Sequence, residues 1–244
     1  VSAAFRSAFV IPAYNAERSI GHVVSSLREA RGSQGDELII VVNDGSRDAT
    51  AELAKRAGAY VLSHASNRGK GAALQSGLAE ARRRGIQAVV TLDADGQHFA
   101  DDAFKLQHHP AAEDALVLGV RDLARAGAPR PNRFSNALSN FFLSWFGGMR
   151  LKDTQCGLRR YPVERTLESG PKALGFAFEA EVVLFAALQG WPIEQVPVDV
   201  HYPPPELRVT HFDSVKDPTR IVATVIRTMI NHYTPPRRAP TEPG

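Results

Sequence analysis

The stretch from Ala88 to His98, reading A-V-V-T-L-D-A-D-G-Q-H, constrains this chain more than any other. Ala88 to Leu92 is apolar or β-branched and contains no turn former, the pattern of a strand buried on both faces of a parallel sheet. It stops at Asp93 and Asp95, one residue apart and followed by Gly96, so two carboxylates stand at the carboxyl end of a central strand. That edge is where open α/β sheets bind ligands. Carboxylates so close repel each other unless a cation lies between them, and hard oxygen ligands favour Mg²⁺ or Mn²⁺. A turn with an aspartate helix cap accounts for the same residues, so the rest of the chain must decide.

Upstream the same alternation repeats. Ala8 to Ile11 is a short apolar run into Pro12-Ala13-Tyr14-Asn15, where proline is expected to stop the strand. Ile20, Val23, Val24 and Leu27 recur at helical spacing between about Glu17 and Ala30. A second strand, Leu38 to Asn43, ends in Asp44-Gly45-Ser46, and Asp48 is placed to cap a helix through Ala57. A third, Tyr60 to Ser63, leads into Asn67-Arg68-Gly69-Lys70-Gly71 and a helix to Arg84. Right-handed crossovers turn such units into a parallel sheet with helices on both sides. Tyr14, Asn15, Glu17, Asp44, Ser46, Arg68, Lys70, Asp93 and Asp95 then gather along one edge. Any one of these strand ends alone reads as a turn; all of them together read as a crevice.

Beyond the centre, Ala115 to Val120 is a further strand ending in Arg121-Asp122. Ala124 to Arg133, rich in Gly, Pro and Arg, reads as a mobile loop ahead of an aromatic helix from Phe134 to Phe146. Leu151 to Tyr161 mixes polar residues and glycine without periodicity, as site-lining segments do. A helix from Phe176 to Gln189 carries Glu179 and Glu181 on an otherwise apolar face, and Val196 to Val200 is a late strand. The last helix, Asp217 to Tyr233, lines up Ile221, Val222, Val225, Ile226, Met229, Ile230 and Tyr233, and the proline-rich Thr234 to Gly244 reads as a disordered tail.

With 43% hydrophobic residues over 244, the chain can bury one sizeable core. The expected fold is α/β: a single Rossmann-like domain with a mainly parallel central sheet flanked by helices. It would span residues 1–233, with a nucleotide-binding half at about 8–120, an acceptor half at about 121–233, and the tail at 234–244. No run reaches the ~18 apolar residues of a membrane-spanning helix, and Val1 to Ser7 lacks the apolar segment of a signal peptide. One cysteine, Cys156, precludes an internal disulfide and fits a reducing cytosol. Arg220, Arg227, Arg237 and Arg238 could hold the last helix against anionic headgroups or a membrane-protein partner, giving a peripheral place on the cytoplasmic membrane face; packing on the core is the simpler role for that helix. A net charge of +3 suits anionic ligands, while the lack of a long basic run or aromatic RNA-binding signature argues against nucleic acid.

Four motifs now stand in order: V-I-P-A-Y-N-A-E at Val10 to Glu17, V-N-D-G-S-R-D-A-T at Val42 to Thr50, N-R-G-K-G at Asn67 to Gly71, and L-D-A-D-G-Q-H at Leu92 to His98. Together they resemble the family-2 inverting glycosyltransferases of the A-type nucleotide-sugar-binding fold, and within these the polyprenyl- or dolichyl-phosphate sugar transferases. D-T-Q-C-G-L-R at Asp153 to Arg159 extends the resemblance into the acceptor half. The resemblance implies that Pro12, Ala13, Tyr14 and Glu17 line a nucleoside pocket with Asp44, and that Arg68 and Lys70 lie near the nucleotide. It implies that Asp93, Ala94 and Asp95 form a D-x-D motif at the donor, with Asp93 and Asp95 holding Mg²⁺ or Mn²⁺ on the diphosphate. Asp153 matches the acceptor-side aspartate as a base or orienting group, with Glu181 a second candidate. Arg121, Arg133 and Arg159 offer planar donor forks to an acceptor phosphate.

The expected activity is metal-dependent transfer of a hexose, with inversion, from a UDP-sugar or GDP-mannose to a polyprenyl phosphate or another membrane-associated acceptor. A nucleoside diphosphate leaves readily only when its charge is neutralised, which a divalent ion and a basic residue can do. Two other readings stay open. One is a sugar-1-phosphate nucleotidylyltransferase, against which Pro12-Ala13-Tyr14-Asn15 stands where those enzymes carry a Gly-rich turn with Arg or Lys. The other is a nucleotide-sugar-binding sensor or scaffold without turnover.

Overall fold

The computed structural model describes residues 5–30 and 37–202. Strands and helices alternate as β1 (Ser7–Ala13), α1 (Ile20–Glu29), β2 (Ile39–Asn43), α2 (Thr50–Arg56), β3 (Tyr60–Ser63), α3 (Lys70–Arg83), β4 (Ala88–Thr91), α4 (Ala100–Gln107), β5 (Leu116–Arg121), α5 (Arg130–Gly147), β6 (Arg159–Pro162), α6 (Val163–Glu168), α7 (Ala177–Leu188) and β7 (Ile193–Val198). The strands form one sheet in the order β3-β2-β1-β4-β6-β5-β7. All pairings are parallel except those of β6, which runs antiparallel to both β4 and β5. The fold is therefore the expected α/β arrangement with one reversed strand near its centre.

Each face of the sheet carries its own core, because successive side chains of a strand point to opposite faces. Ala8 and Val10 of β1 join Ile40, Val42, Leu74, Leu78 and Phe178 on the side of α3 and α7. Phe9 and Ile11 join Ile20, Val24, Leu27, Val41 and Phe104 on the side of α1 and α4. This two-sided burial is why β1, β2 and β4 are continuous apolar runs in the sequence.

Several boundaries differ from expectation for local reasons. Pro12 does not end β1, which continues to Ala13 in register with β2. Phe9 donates its N–H to Leu38 on the β2 side, so alternation turns the Pro12 nitrogen toward β4, whose ladder with β1 stops at Val10. No N–H is needed there. Helix α5 starts at Arg130, inside the segment expected to be a loop, with Pro131 in its first turn, where a missing N–H costs nothing. Strand β7 sits three residues earlier than expected and tolerates Pro197 because it is an edge strand. Asp48 does accept the Thr50 N–H at 3.1 Å at the start of α2.

Strand β6 escapes a periodicity search because it reads Arg-Arg-Tyr-Pro, yet all four residues are buried. Its arginines donate to backbone carbonyls rather than to acids, although the buried Nε of Arg160 has no hydrogen-bond partner among the described residues. Arg160 donates to the carbonyls of His109, Ala111 and Ala112 just past α4, and Arg159 to those of Thr154, Cys156 and Glu179. Carbonyl oxygens of this kind offset the cost of burying a guanidinium. Among the described residues no helix is long and apolar enough to cross a membrane. The expected helix Asp217 to Tyr233, the arginines beyond it and the tail at 234–244 lie outside the described residues.

The packing of α3 on the sheet yields a paired prediction. A Cβ on Gly77 would collide with Val10 Cγ1, whereas one on Gly21 would meet nothing within 4 Å. Gly77→Ala is expected to destabilise the protein by about 1–3 kcal/mol through overpacking. Gly21→Ala is expected to stabilise it by up to about 1 kcal/mol through helix propensity. Urea denaturation of both variants checks the opposite signs.

Candidate functional site

The carboxyl ends of β1, β2, β4 and β5 open on a single cleft of about 930 Å³. Pro12, Ala13 and Tyr14 line it from β1, Asp44 from β2, Asp93, Ala94 and Asp95 from β4, and Arg121 from β5. Lys70 enters from the first turn of α3, and Phe176 and Glu179 from the start of α7. Residues 50 or more apart in sequence meet here because parallel crossovers bring the carboxyl ends of β1, β2, β4 and β5 to the same edge.

At one end, the Asp44 carboxylate is only 2% exposed. It accepts the N–H groups of Arg68 at 2.9 Å and Gly69 at 2.7 Å, and lies 2.6 Å from His64 Nδ1. Arg68 thus contributes its backbone, while its side chain is exposed and does not line the cleft. Of the pair expected near the nucleotide, Lys70 lines the cleft with its side chain and Arg68 does not. The placement of Glu17 is corrected: it is exposed, its carboxylate accepts the Ala49 N–H at 3.0 Å, and it pins the end of β1 to the start of α2.

The floor is an ion cluster. Lys70 Nζ lies 2.6 Å from Asp93 Oδ1 and 3.1 Å from Glu179 Oε2. Burial works against the ammonium, but Asp93 and Glu179 outweigh it and raise the Lys70 pKa. Burial likewise opposes the Asp93 charge, and Lys70 chiefly holds its pKa below the usual value. Asp95, exposed at the cleft, has no ion-pair partner among the described residues; desolvation by the cleft walls and the adjacent Asp93 charge push its pKa up to about 6. Beside them burial pushes His98 down to about 4, leaving a neutral imidazole at neutral pH. Its Nδ1 is buried and has no hydrogen-bond partner among the described residues. Gly157 passes directly under this floor, and a Cβ there would collide with the Asp93 carboxylate.

At the far end Asp153, 1% exposed, clasps Arg121. Its Oδ2 accepts Arg121 N–H at 3.1 Å and Nε at 2.7 Å, and its Oδ1 accepts Nη2 at 3.0 Å. Arg121 lines the cleft and Asp153 stands behind it. Both Asp153 carboxylate oxygens are thus engaged by Arg121. Three other expectations are corrected. Arg159 is fully buried with its guanidinium spent on carbonyls, so it offers nothing to a phosphate. Arg133 is exposed on α5 and does not line the cleft. Glu181 accepts the N–H groups of Lys172 and Ala173, both at 2.8 Å, and braces the approach to α7. Glu179 is the residue that sequence reasoning flagged without a role; its partner Lys70 lies 109 positions away.

Residues 8–163 match the profile of Glycosyl transferase family 2. The chain belongs to that family. An uncharacterised protein of Methanocaldococcus jannaschii is 32% identical over 199 residues, covering 79% of this chain and 80% of that protein. The dolichyl-phosphate beta-glucosyltransferase ALG5C of Trichomonas vaginalis is 30% identical over 214 residues, 78% of this chain and 62% of that protein. In fold, the chain is similar to glucosyl-3-phosphoglycerate synthase of Mycobacterium tuberculosis, crystallised with Mn²⁺, UDP and glucosyl-3-phosphoglycerate. The TM-score is 0.70 at 22% identity, over 92% of this chain and 80% of that one. Membership makes this chain a glycosyltransferase and the sheet an A-type sheet, as the motifs implied.

The Asp153–Arg121 clasp predicts an asymmetry in stability. Asp153→Ala strands a largely buried guanidinium and is expected to cost about 3–5 kcal/mol. Arg133→Ala, on an exposed helix surface, is expected to stay within about 0.5 kcal/mol of the parent. Chemical denaturation measures both.

Proposed function

We propose that this glycosyltransferase moves a hexose, with inversion and with the help of a divalent ion, from a UDP-sugar or GDP-mannose to a polyprenyl phosphate or another membrane-associated acceptor. The observation that carries the reading is the meeting of Asp44, Lys70, Asp93, Asp95 and Arg121 on one cleft from separate segments. Asp44 offers a fixed carboxylate to N–H donors on a base. Asp93, Asp95 and Lys70 face the diphosphate, and Arg121 faces the acceptor phosphate, with Asp153 positioning it.

The residues present fit Mg²⁺ or Mn²⁺. Among the described residues no group of three or more His, Cys, Asp or Glu could hold a metal alone. Mg²⁺ commonly needs less: one or two carboxylates plus the oxygens of a bound phosphate and water. Asp95, whose pKa is raised by desolvation and by the neighbouring Asp93 charge, is the group whose ionised form a cation would favour, and Asp93 stands beside it. When bound, the ion would neutralise charge developing on the leaving diphosphate. Lys70 supplies a fixed positive charge at the same place. A phosphate acceptor is already anionic, so Arg121 has to position it and no residue has to deprotonate it.

Phe134, Phe141 and Trp145 support a lipid-linked acceptor. All three are exposed, they share one face of α5 by helical spacing, and the first turn of that helix lines the cleft through Pro131 and Asn132. An aromatic face of this kind suits a membrane interface. Attachment to the cytoplasmic membrane face through residues 217–233 remains a reading of the sequence.

Transfer of labelled sugar from UDP-glucose, UDP-N-acetylglucosamine or GDP-mannose to polyprenyl phosphate in vesicles tests the proposal. Lipid-linked product is expected with Mg²⁺ or Mn²⁺, lost with chelator, and lowered about 10²–10³-fold in Asp95→Ala. Trp145→Ser should lower transfer to vesicles more than donor binding. Tight nucleotide binding without transfer would favour a sensor, and pyrophosphate release from UTP or GTP and a sugar phosphate would favour a nucleotidylyltransferase.

A further inference from the structure

The Asp44 carboxylate is held from a direction that the motif does not reveal. Two of its donors are amides of the loop that opens α3, Arg68 N–H on Oδ1 and Gly69 N–H on Oδ2. The third is the imidazole of His64, which directly follows β3, with Nδ1 2.6 Å from Oδ1. A carboxylate only accepts, so Nδ1 carries the proton. Across the ring, His64 Nε2 lies 2.9 Å from the Ser76 hydroxyl on α3. The His64 side chain is 9% exposed, so the ring cannot turn without giving up both bonds in a buried place.

The consequence is geometric. Among the described residues Oδ1 takes two donors and Oδ2 takes one, and each carboxylate oxygen has two lone-pair positions. One acceptor position therefore remains on Oδ2 of a residue that lines the cleft, and the carboxylate cannot rotate away from it. A ring N–H, such as N3–H of uracil or N1–H of guanine, satisfies that position. Cytosine and adenine present a lone pair at the corresponding ring nitrogen, which the carboxylate repels.

We propose that His64 is a positioning residue for recognition of the donor's base: held by Ser76, it fixes the Asp44 carboxylate so that Oδ2 reads a ring N–H. This rests on the nucleotide-sugar reading of the cleft and adds to it a residue outside the motifs. His64 acts through Asp44 and not on the diphosphate. Its loss should change which nucleotide binds, and leave binding of the phosphates alone intact.

Calorimetric titration of the full chain with Mg²⁺ and UDP, GDP, CDP or ADP, with inorganic pyrophosphate as a base-free probe, tests this. His64→Ala is expected to weaken the preferred diphosphate about tenfold, the worth of one charge-assisted hydrogen bond. It should narrow the preference over CDP and ADP and leave pyrophosphate unchanged. His64→Asn places an amide N–H where Nδ1 was and should restore most of the preference. His64→Gln carries its N–H one bond farther, toward Ser76, and should not; this pair decides the matter even if the alanine variant fails to fold. Unchanged discrimination in His64→Ala and His64→Gln, while Asp44→Asn loses it, overturns the role of His64 and leaves the cleft reading standing. Equal weakening of pyrophosphate and nucleotide also overturns it, since that marks a merely structural role. If the unsubstituted protein binds no nucleoside diphosphate, the cleft reading and the role of His64 fail together.

Discussion

One half-buried ammonium ties the working edge of this protein together. Lys70, on the first turn of α3, reaches both Asp93 at the end of β4 and Glu179 on α7. Three segments distant in sequence are thereby fixed to one another beneath the cleft. One ammonium among the carboxylates of Asp93, Asp95 and Glu179 still leaves the floor with an excess of negative charge. Desolvation within the cleft and the adjacent Asp93 charge together raise the Asp95 pKa. A chain with a net positive charge thus keeps an acidic floor, and a cation brought in with an anionic donor would relieve it.

The surroundings hold that floor in place. Gly157 leaves room for Asp93, where any side chain would displace it. Arg159, on the reversed strand β6, binds the carbonyls of Thr154, Cys156 and Glu179 and so locks the loop carrying Gly157 to the helix carrying Glu179. Asp153 does the corresponding work for Arg121. Asp44, Lys70, Asp93 and Arg121 each have a second charged group, or a set of backbone groups, behind them. Such backing pre-organises a site, since a side chain whose rotamer is fixed loses less entropy when ligand arrives.

The first half of the fold was legible because its signals are local. Apolar runs bounded by turns marked β1 to β4, and polar residues at their ends marked the edge. The second half was not, because the deciding partners lie far away in sequence. Arg121 and Arg159 both look like phosphate ligands in a string of letters; one lines the cleft and the other fills three carbonyls. Glu179 and Glu181 both look like anomalous buried acids; one neutralises Lys70 and the other caps backbone amides. Strand β6 hid behind two arginines whose burial makes sense only once α4 and α7 have been placed. Pro12 misled for the same reason: whether a strand tolerates proline depends on where its neighbour ends.

The central claim is that the paired carboxylates after β4 form a cation-requiring floor for a diphosphate. The most direct measurement is a pH titration of the aspartate side-chain carboxyls by carbon-13 NMR, in metal-free protein and then with Mg²⁺ and the nucleoside diphosphate that binds. The account predicts one carboxyl titrating near 6, absent in Asp95→Asn, whose midpoint falls when Mg²⁺ and the diphosphate are added together. If every aspartate titrates in the ordinary carboxylate range, or if the raised midpoint ignores Mg²⁺ and diphosphate, the account is contradicted.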